Sequence, residues 1–180
     1  MIGVFLADGF EEVEAVAPID VLRRCGLDVV TVGVTGRTAT GSHSIPVLCD
    51  RTVEEAESEP FEAVVLPGGM PGTLNLKASG LLLRLIRRTY ENGGVVAAIC
   101  AAPSILGEMG LLNGRKATCF PGFENSLSGA TLSPDPVCVD ENIITARGAG
   151  AALKFGAQIA ACFVGGEKAG EVLSSMQYIR

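Results

Sequence analysis

Val95 to Pro103 reads VVAAICAAP. Five apolar residues in a row, without alternation, describe a strand buried on both faces, and a proline three positions after the cysteine suits the first turn of a helix. Cys100 therefore stands where a strand hands over to a helix. There the unpaired backbone N–H groups and the macrodipole favour thiolate over thiol, and the small neighbours permit a sharp turn of the nucleophile-elbow kind. Cysteine is also among the most commonly buried residue types, and only the position at a strand end tips the reading toward a reactive sulfur. Cys25, Cys49, Cys119, Cys138 and Cys162 lack that geometry and read as core residues.

The same pattern recurs on either side. Met1 to Leu6 is an apolar, β-branched run closed by Asp8-Gly9, and a helix is expected from about Glu11 to Cys25, with Val13, Val16, Val21 and Leu22 on one face and a kink or split at Pro18. Asp28 to Val34 reads as a strand, Thr38 to Cys49 as an irregular hairpin, and Ala63 to Leu66 as a short buried strand ended by Pro67-Gly68-Gly69. One helix is expected over Leu74 to Tyr90, another after Cys100 through Met109, then short strands at Lys116–Cys119, Val137–Val139 and Ile143–Ala146. Helices over about Ala151–Val164 and Glu167–Gln177 close the chain. Strands alternating with helices over residues 1–180 predict a single α/β domain, a doubly wound three-layer sandwich of Rossmann or flavodoxin type around a mostly parallel sheet.

Composition narrows the function. With 180 residues, 48% of them hydrophobic, the chain can build a two-sided core. A net charge of −6 repels polyphosphate, and the basic group Arg84, Arg87 and Arg88 has the spacing of a solvated helix face, so nucleic acid is not an expected partner. Met1 to Phe10 has no basic leader and is too short to span a bilayer, so no membrane segment is expected. The six cysteines form no CxxC pair and His43, the only histidine, has no metal-ligand neighbour at usual spacing. Reduced thiols in a cytoplasmic protein, without metal or disulfide framework, are the expectation.

In open parallel sheets ligands gather at the carboxyl ends of the strands. Three stretches fall there: Gly9–Glu14, Gly68–Gly72 and Cys100–Pro103. The Gly68-Gly69 turn serves both to reverse the chain and to expose N–H groups. A thiolate usually works beside an imidazole, but a lone His43 in a hairpin reads first as a hydrogen-bonded loop residue. The run Glu11-Glu12-Val13-Glu14 reads as helix-start electrostatics on a solvated surface, and spacing alone does not single out Glu14. The segment RGAGAAL places Leu153 where a dinucleotide fingerprint needs its last glycine, and no P-loop is present.

Taken together, ADGFEEVEAVAPIDVLRRCG, VVLPGGMPG, VVAAICAAPSIL and ITARGAGAALKFG resemble, in order and over nearly the whole chain, the ThiJ/PfpI superfamily, in the branch with the Parkinsonism-associated deglycase and its bacterial relatives. The resemblance implies a flavodoxin-like fold akin to class I glutamine amidotransferases, a homodimer, and no metal or organic cofactor. It puts the reactive cysteine at Cys100, its partner glutamate at Glu14, and the backbone donors beside the sulfur at Gly69 and Ala101. It adds His43, Gly68 and Phe120 as pocket residues, His43 near a position that is arginine in better-known members. Where several members carry a histidine in a Thr-His-Pro context, this chain has Thr118-Cys119-Phe120-Pro121. Phe120 moves no protons, which removes support for a Cys-His peptidase or amidotransferase mechanism.

Two functions of different class follow from that resemblance. One is a cofactor-independent enzyme of glyoxalase III or deglycase type, acting on reactive dicarbonyls such as methylglyoxal or their adducts, with Cys100 as nucleophile and Glu14 as acid/base. The other is an oxidative-stress sensor or chaperone in which Cys100 is oxidised to sulfinate. A thiazole monophosphate (thiamine) biosynthesis label borne by some bacterial relatives finds no residue pattern here.

Overall fold

The computed structural model describes residues 1–178. In chain order the elements are β1 (Ile2–Leu6), α1 (Glu12–Arg24), β2 (Val29–Gly33), β3 (Thr38–Thr40), β4 (Pro46–Leu48), β5 (Arg51–Thr52), β6 (Ala63–Leu66), α2 (Gly72–Ala78), α3 (Gly80–Glu91), β7 (Val95–Ile99), α4 (Pro103–Glu108), β8 (Lys116–Ala117), β9 (Thr131–Leu132), β10 (Val137–Asp140), β11 (Ile143–Ala146), α5 (Ala152–Val164) and α6 (Gly166–Ser175). Seven strands form one sheet in the order β10-β11-β7-β6-β1-β2-β5. All its pairings are parallel except that of the edge strand β10 with β11. Central β1 pairs with β2 on one side and β6 on the other, Ile2 standing opposite both Val29 and Ala63. The strand order thus reverses at β1, and the crevice beyond its carboxyl end is where such a sheet binds ligands.

Alternation along each strand divides the core in two. Ala63 and Val65 of β6 with Val95, Ala97 and Ile99 of β7 pack toward α1, α5 and α6, while Val64, Leu66, Val96 and Ala98 pack toward α2, α3 and α4. Continuous apolar runs in the sequence are therefore strands covered by helices on both faces, which is the mostly parallel, flavodoxin-like three-layer arrangement expected.

Several local expectations are corrected. The helix expected over Leu74–Tyr90 is two helices, because Ser79 leaves helical geometry (φ −83°, ψ 101°) and caps α3 by accepting a hydrogen bond from the Leu82 N–H. α1 is continuous through Pro18, and no split occurs there. Its buried positions are Glu12, Glu14, Ala15, Pro18, Val21 and Leu22, whereas Val13 and Val16 face out. The Lys116–Cys119 segment shortens to β8, which pairs with β9 outside the main sheet. Cys162 is exposed, against the core placement expected of it, while Cys25, Cys49, Cys119 and Cys138 are buried; all six cysteines are free. Among the described residues no helix is long and apolar enough to cross a membrane.

Candidate active site

Cys100 ends β7 and is held in a left-handed conformation, with φ of 65°. A non-glycine residue there carries strain of the order of 1–3 kcal/mol. The surrounding backbone maintains it: the Cys100 N–H donates to the Ala146 carbonyl at 2.9 Å, and the Phe120 N–H donates to the Cys100 carbonyl at 2.8 Å. The elbow turns the side chain out of the sheet into the crevice, leaving it partly exposed. The helix expected to activate the sulfur is α4, which is only six residues long and starts three positions after Cys100. The groups that lower the thiol's pKa are the single N–H groups of Gly69 and Ala101; beside a charged Glu14 they are outweighed, burial and then that charge pushing the thiol up to about 12.

Glu14 comes from the first turn of α1 and is 1% exposed, not solvated as its acidic neighbours suggested. The Gly68 N–H donates to its Oε2 at 2.9 Å. Burial pushes its carboxyl up to about 7, against the lowering effect of hydrogen bonds with the Cys100 side chain and the Gly68 and Ala149 amides, and the nearby charge of Glu11 adds to the rise. Gly68 explains how the two groups meet. A Cβ there would stand 2.6 Å from Cys100 Cβ and 2.7 Å from Glu14 Oε2. Those two atoms are therefore at most 5.3 Å apart, the sum of 2.6 and 2.7 Å, with only a glycine backbone between them. Gly69, at φ of 90°, turns the chain back against the Phe10–Glu11 loop, where the Glu11 N–H bonds to the Gly68 carbonyl at 3.0 Å.

Phe120 and Gly148 complete the rim. A Cβ on Gly148 would lie 3.3 Å from the Phe120 ring and 3.9 Å from Glu14 Oε1. The fold therefore brings Cys100, Glu14, Gly68, Gly69, Ala101 and Phe120 to one place. His43 is elsewhere: it sits at the β3–β4 turn, where its Nδ1 lies 2.9 Å from Glu12 Oε2. Among the described residues no hydrogen bond or ion pair joins it to Cys100 or Glu14. Its lack of metal-ligand neighbours holds along the chain but not in space, where Glu11, Glu12 and His43 group together. Sequence reading missed Gly148 and Ala149 as site residues, having weighed RGAGAAL as a nucleotide fingerprint and as part of the family resemblance; the signal was its place directly after the strand Ile143–Ala146.

A strained cysteine, a buried carboxyl and converging amides thus lie together at the sheet's switch point. The DJ-1/PfpI family model matches residues 1–162. The chain is 37% identical over 176 residues to protein dj-1beta of Drosophila melanogaster, covering 96% of this chain and 94% of that protein. It is 34% identical over 144 residues to a deglycase of Pyrococcus horikoshii, covering 78% of this chain and 86% of that one. The solved structure of oxidized Toxoplasma gondii DJ-1 superposes with a TM-score of 0.95 at 31% identity, covering 99% of this chain and 98% of that one. With a family match over most of its length and relatives above 30% identity on both sequence and structure, this chain belongs to the DJ-1/PfpI family.

Proposed function

We propose that this protein is a cysteine-dependent, cofactor-independent enzyme acting on reactive dicarbonyls or their adducts, with Cys100 as nucleophile and Glu14 as acid/base. The observation that carries the reading is a 1%-exposed glutamate facing a strained cysteine across Gly68; the deglycase name of the Pyrococcus horikoshii relative supports the substrate class. The two groups titrate as a pair. When the pair holds one proton, the carboxylic O–H is a far better donor than a thiol S–H. Placing the proton on Glu14 gives a charge-assisted O–H···S⁻ bond, with the Gly69 and Ala101 amides as further donors to the sulfur. That arrangement replaces the repulsion between a carboxylate and a thiolate with attraction.

With methylglyoxal, the thiolate adds to the aldehyde carbon and the carbonyl oxygen becomes an alkoxide that the Gly69 or Ala101 N–H can hold. Protonation gives a hemithioacetal. Glu14 then removes the proton from C1 and returns it at C2, so that the C1 alcohol becomes a thioester carbonyl and the neighbouring ketone an alcohol. Water cleaves the thioester to lactate and regenerates the thiol, a net addition of one water. We expect Cys100→Ser to abolish lactate formation and Glu14→Gln to keep alkylation by iodoacetamide while losing about 10²-fold or more in turnover. A fully active Cys100→Ser protein would refute the mechanism.

A second reading, redox sensing, is favoured by the oxidized state named for the Toxoplasma gondii neighbour. A partly exposed sulfur facing two amides and a carboxyl is placed to hold a sulfenate or sulfinate oxygen. Intact-mass analysis after mild peroxide separates the two, since sensing requires Cys100 to oxidise ahead of the exposed Cys162. The chain's free thiols support a reducing, cytoplasmic setting. Exposed Val13 and Val16 on α1, with Ile45 and Leu48 at the neighbouring hairpin, support a homodimer.

A further inference from the structure

Away from Cys100, the first turn of α1 and the turn between β3 and β4 bring four donor side chains together. His43 Nδ1 is 2.9 Å from Glu12 Oε2, 3.6 Å from Glu11 Oε2 and 3.2 Å from Ser42 Oγ. Ser42 Oγ is in turn 3.3 Å from Glu11 Oε2 and 3.4 Å from Glu12 Oε2. A tetrahedral ion with ligand bonds of about 2.0–2.1 Å sets its ligand atoms about 3.3–3.4 Å apart. Five of the six edges of such a shell scatter around that value, and the sixth, between the Glu11 and Glu12 oxygens, is within 4.8 Å.

Charge points the same way. Among the described residues neither Glu11 nor Glu12 pairs with a lysine or arginine; the imidazole of His43 is their only basic neighbour. The Glu12 side chain is 9% exposed, and its Oε1 is fixed by the His43 N–H at 2.8 Å, leaving Oε2 to face the cluster. Gly41 makes room for that carboxylate, since a Cβ there would stand 2.7 Å from Glu12 Cγ. Two carboxylates and a hydroxyl joined by an imidazole suit a divalent ion of the zinc class, because calcium and magnesium take oxygen ligands and the imidazole nitrogen favours a transition metal.

We propose that Glu11, Glu12, Ser42 and His43 form a binding site for a divalent transition metal of the zinc class, which ties the hairpin tip to the start of α1. On binding, His43 Nδ1 exchanges its hydrogen bond with Glu12 for a bond to the metal, and the ring keeps its other N–H toward solvent.

The test uses the whole protein, treated with EDTA and dialysed, then titrated with Co²⁺ as a spectroscopic probe and with Zn²⁺ while following the melting temperature. The expected result is one Co²⁺ per chain, with visible bands of a tetrahedral N/O site and no thiolate charge-transfer band, and a melting temperature raised by Zn²⁺. His43→Ala, an exposed position whose folding is checked by circular dichroism, weakens binding by at least about tenfold and removes the thermal shift; Glu11→Gln does the same in the event that His43→Ala perturbs the turn. Binding that survives both substitutions, binding that carries a thiolate band and disappears in Cys100→Ser, or no binding at one equivalent would each overturn the site.

Discussion

Glu14 holds its place through two opposed effects, burial that favours its neutral form and amides that favour its charge, and burial wins, taking the carboxyl from 4.5 to about 7. Its folded pKa lies above its unfolded one, so folding takes up a proton between those values, and the stability tied to the neutral acid is complete below 4.5 and lost as pH rises through about 7. The difference corresponds to about 3 kcal/mol. In a Cys100→Ser background, where no sulfur can carry the charge instead, adding Glu14→Gln should leave urea stability at pH 4.5 nearly unchanged and raise it by about that amount at pH 8, EDTA being present throughout. Equal effects at both pH values would show that Glu14 is not a buried, raised acid. Little of this was legible in the sequence. Glu11, Glu12 and Glu14 are the same kind of residue within four positions, and only the resemblance separated Glu14 from its neighbours; burial, which distinguishes them, is a tertiary property. Cys100 was legible because its position after five unbroken apolar residues marks a strand end, although the amides of Gly69 and Ala101 act on it rather than a helix dipole.

At the scale of elements, α1 shows why apolar spacing misled. The sequence put Val13 and Val16 inward, yet Glu12 and Glu14 take the buried side of the first turn, because one anchors the hairpin and the other reaches the strand ends. Farther along, α1 crosses α5 where Pro18 meets Gly156: a Cβ on Gly156 would stand 2.8 Å from Pro18 Cα and 3.2 Å from Val21 Cβ. Alanine normally gains about 1 kcal/mol over glycine within a helix, but here it must push a backbone away, at a cost of about 1–3 kcal/mol. Gly156→Ala is therefore expected to lower the urea midpoint, and a more stable variant would show that the two helices do not pack so closely. The break at Ser79-Gly80 had a visible signal in the cap residue and the glycine after it, outweighed in reading by apolar periodicity that continued on both sides.

For the molecule as a whole, the layered fold was the most legible feature, because the unbroken apolar runs of β6 and β7 admit few arrangements other than a parallel sheet covered on both faces. The edge strand β10 was legible as Val137–Val139 but its antiparallel direction was not, and the two-residue strand β5 was hidden by its brevity, since pairing of so few residues is decided by the neighbouring strand. The exposed apolar residues Val13, Val16 and Leu48 predict a dimer in sedimentation, converted to monomer by Leu48→Glu; a wild-type monomer at all concentrations would remove that surface from the account. The fold's main consequence is that β1, β6 and β7 deliver a carboxyl, two amides and a sulfur to one crevice, where the sulfur is to be ionised at neutral pH. The rate of Cys100 alkylation against pH, in wild type and Glu14→Gln, measures this directly. The account predicts a wild-type midpoint well below the value of about 8.5 for a free thiol, shifted upward in Glu14→Gln. A wild-type midpoint at or above 8.5, climbing toward the value of about 12 that burial beside a charged Glu14 would impose, would contradict it.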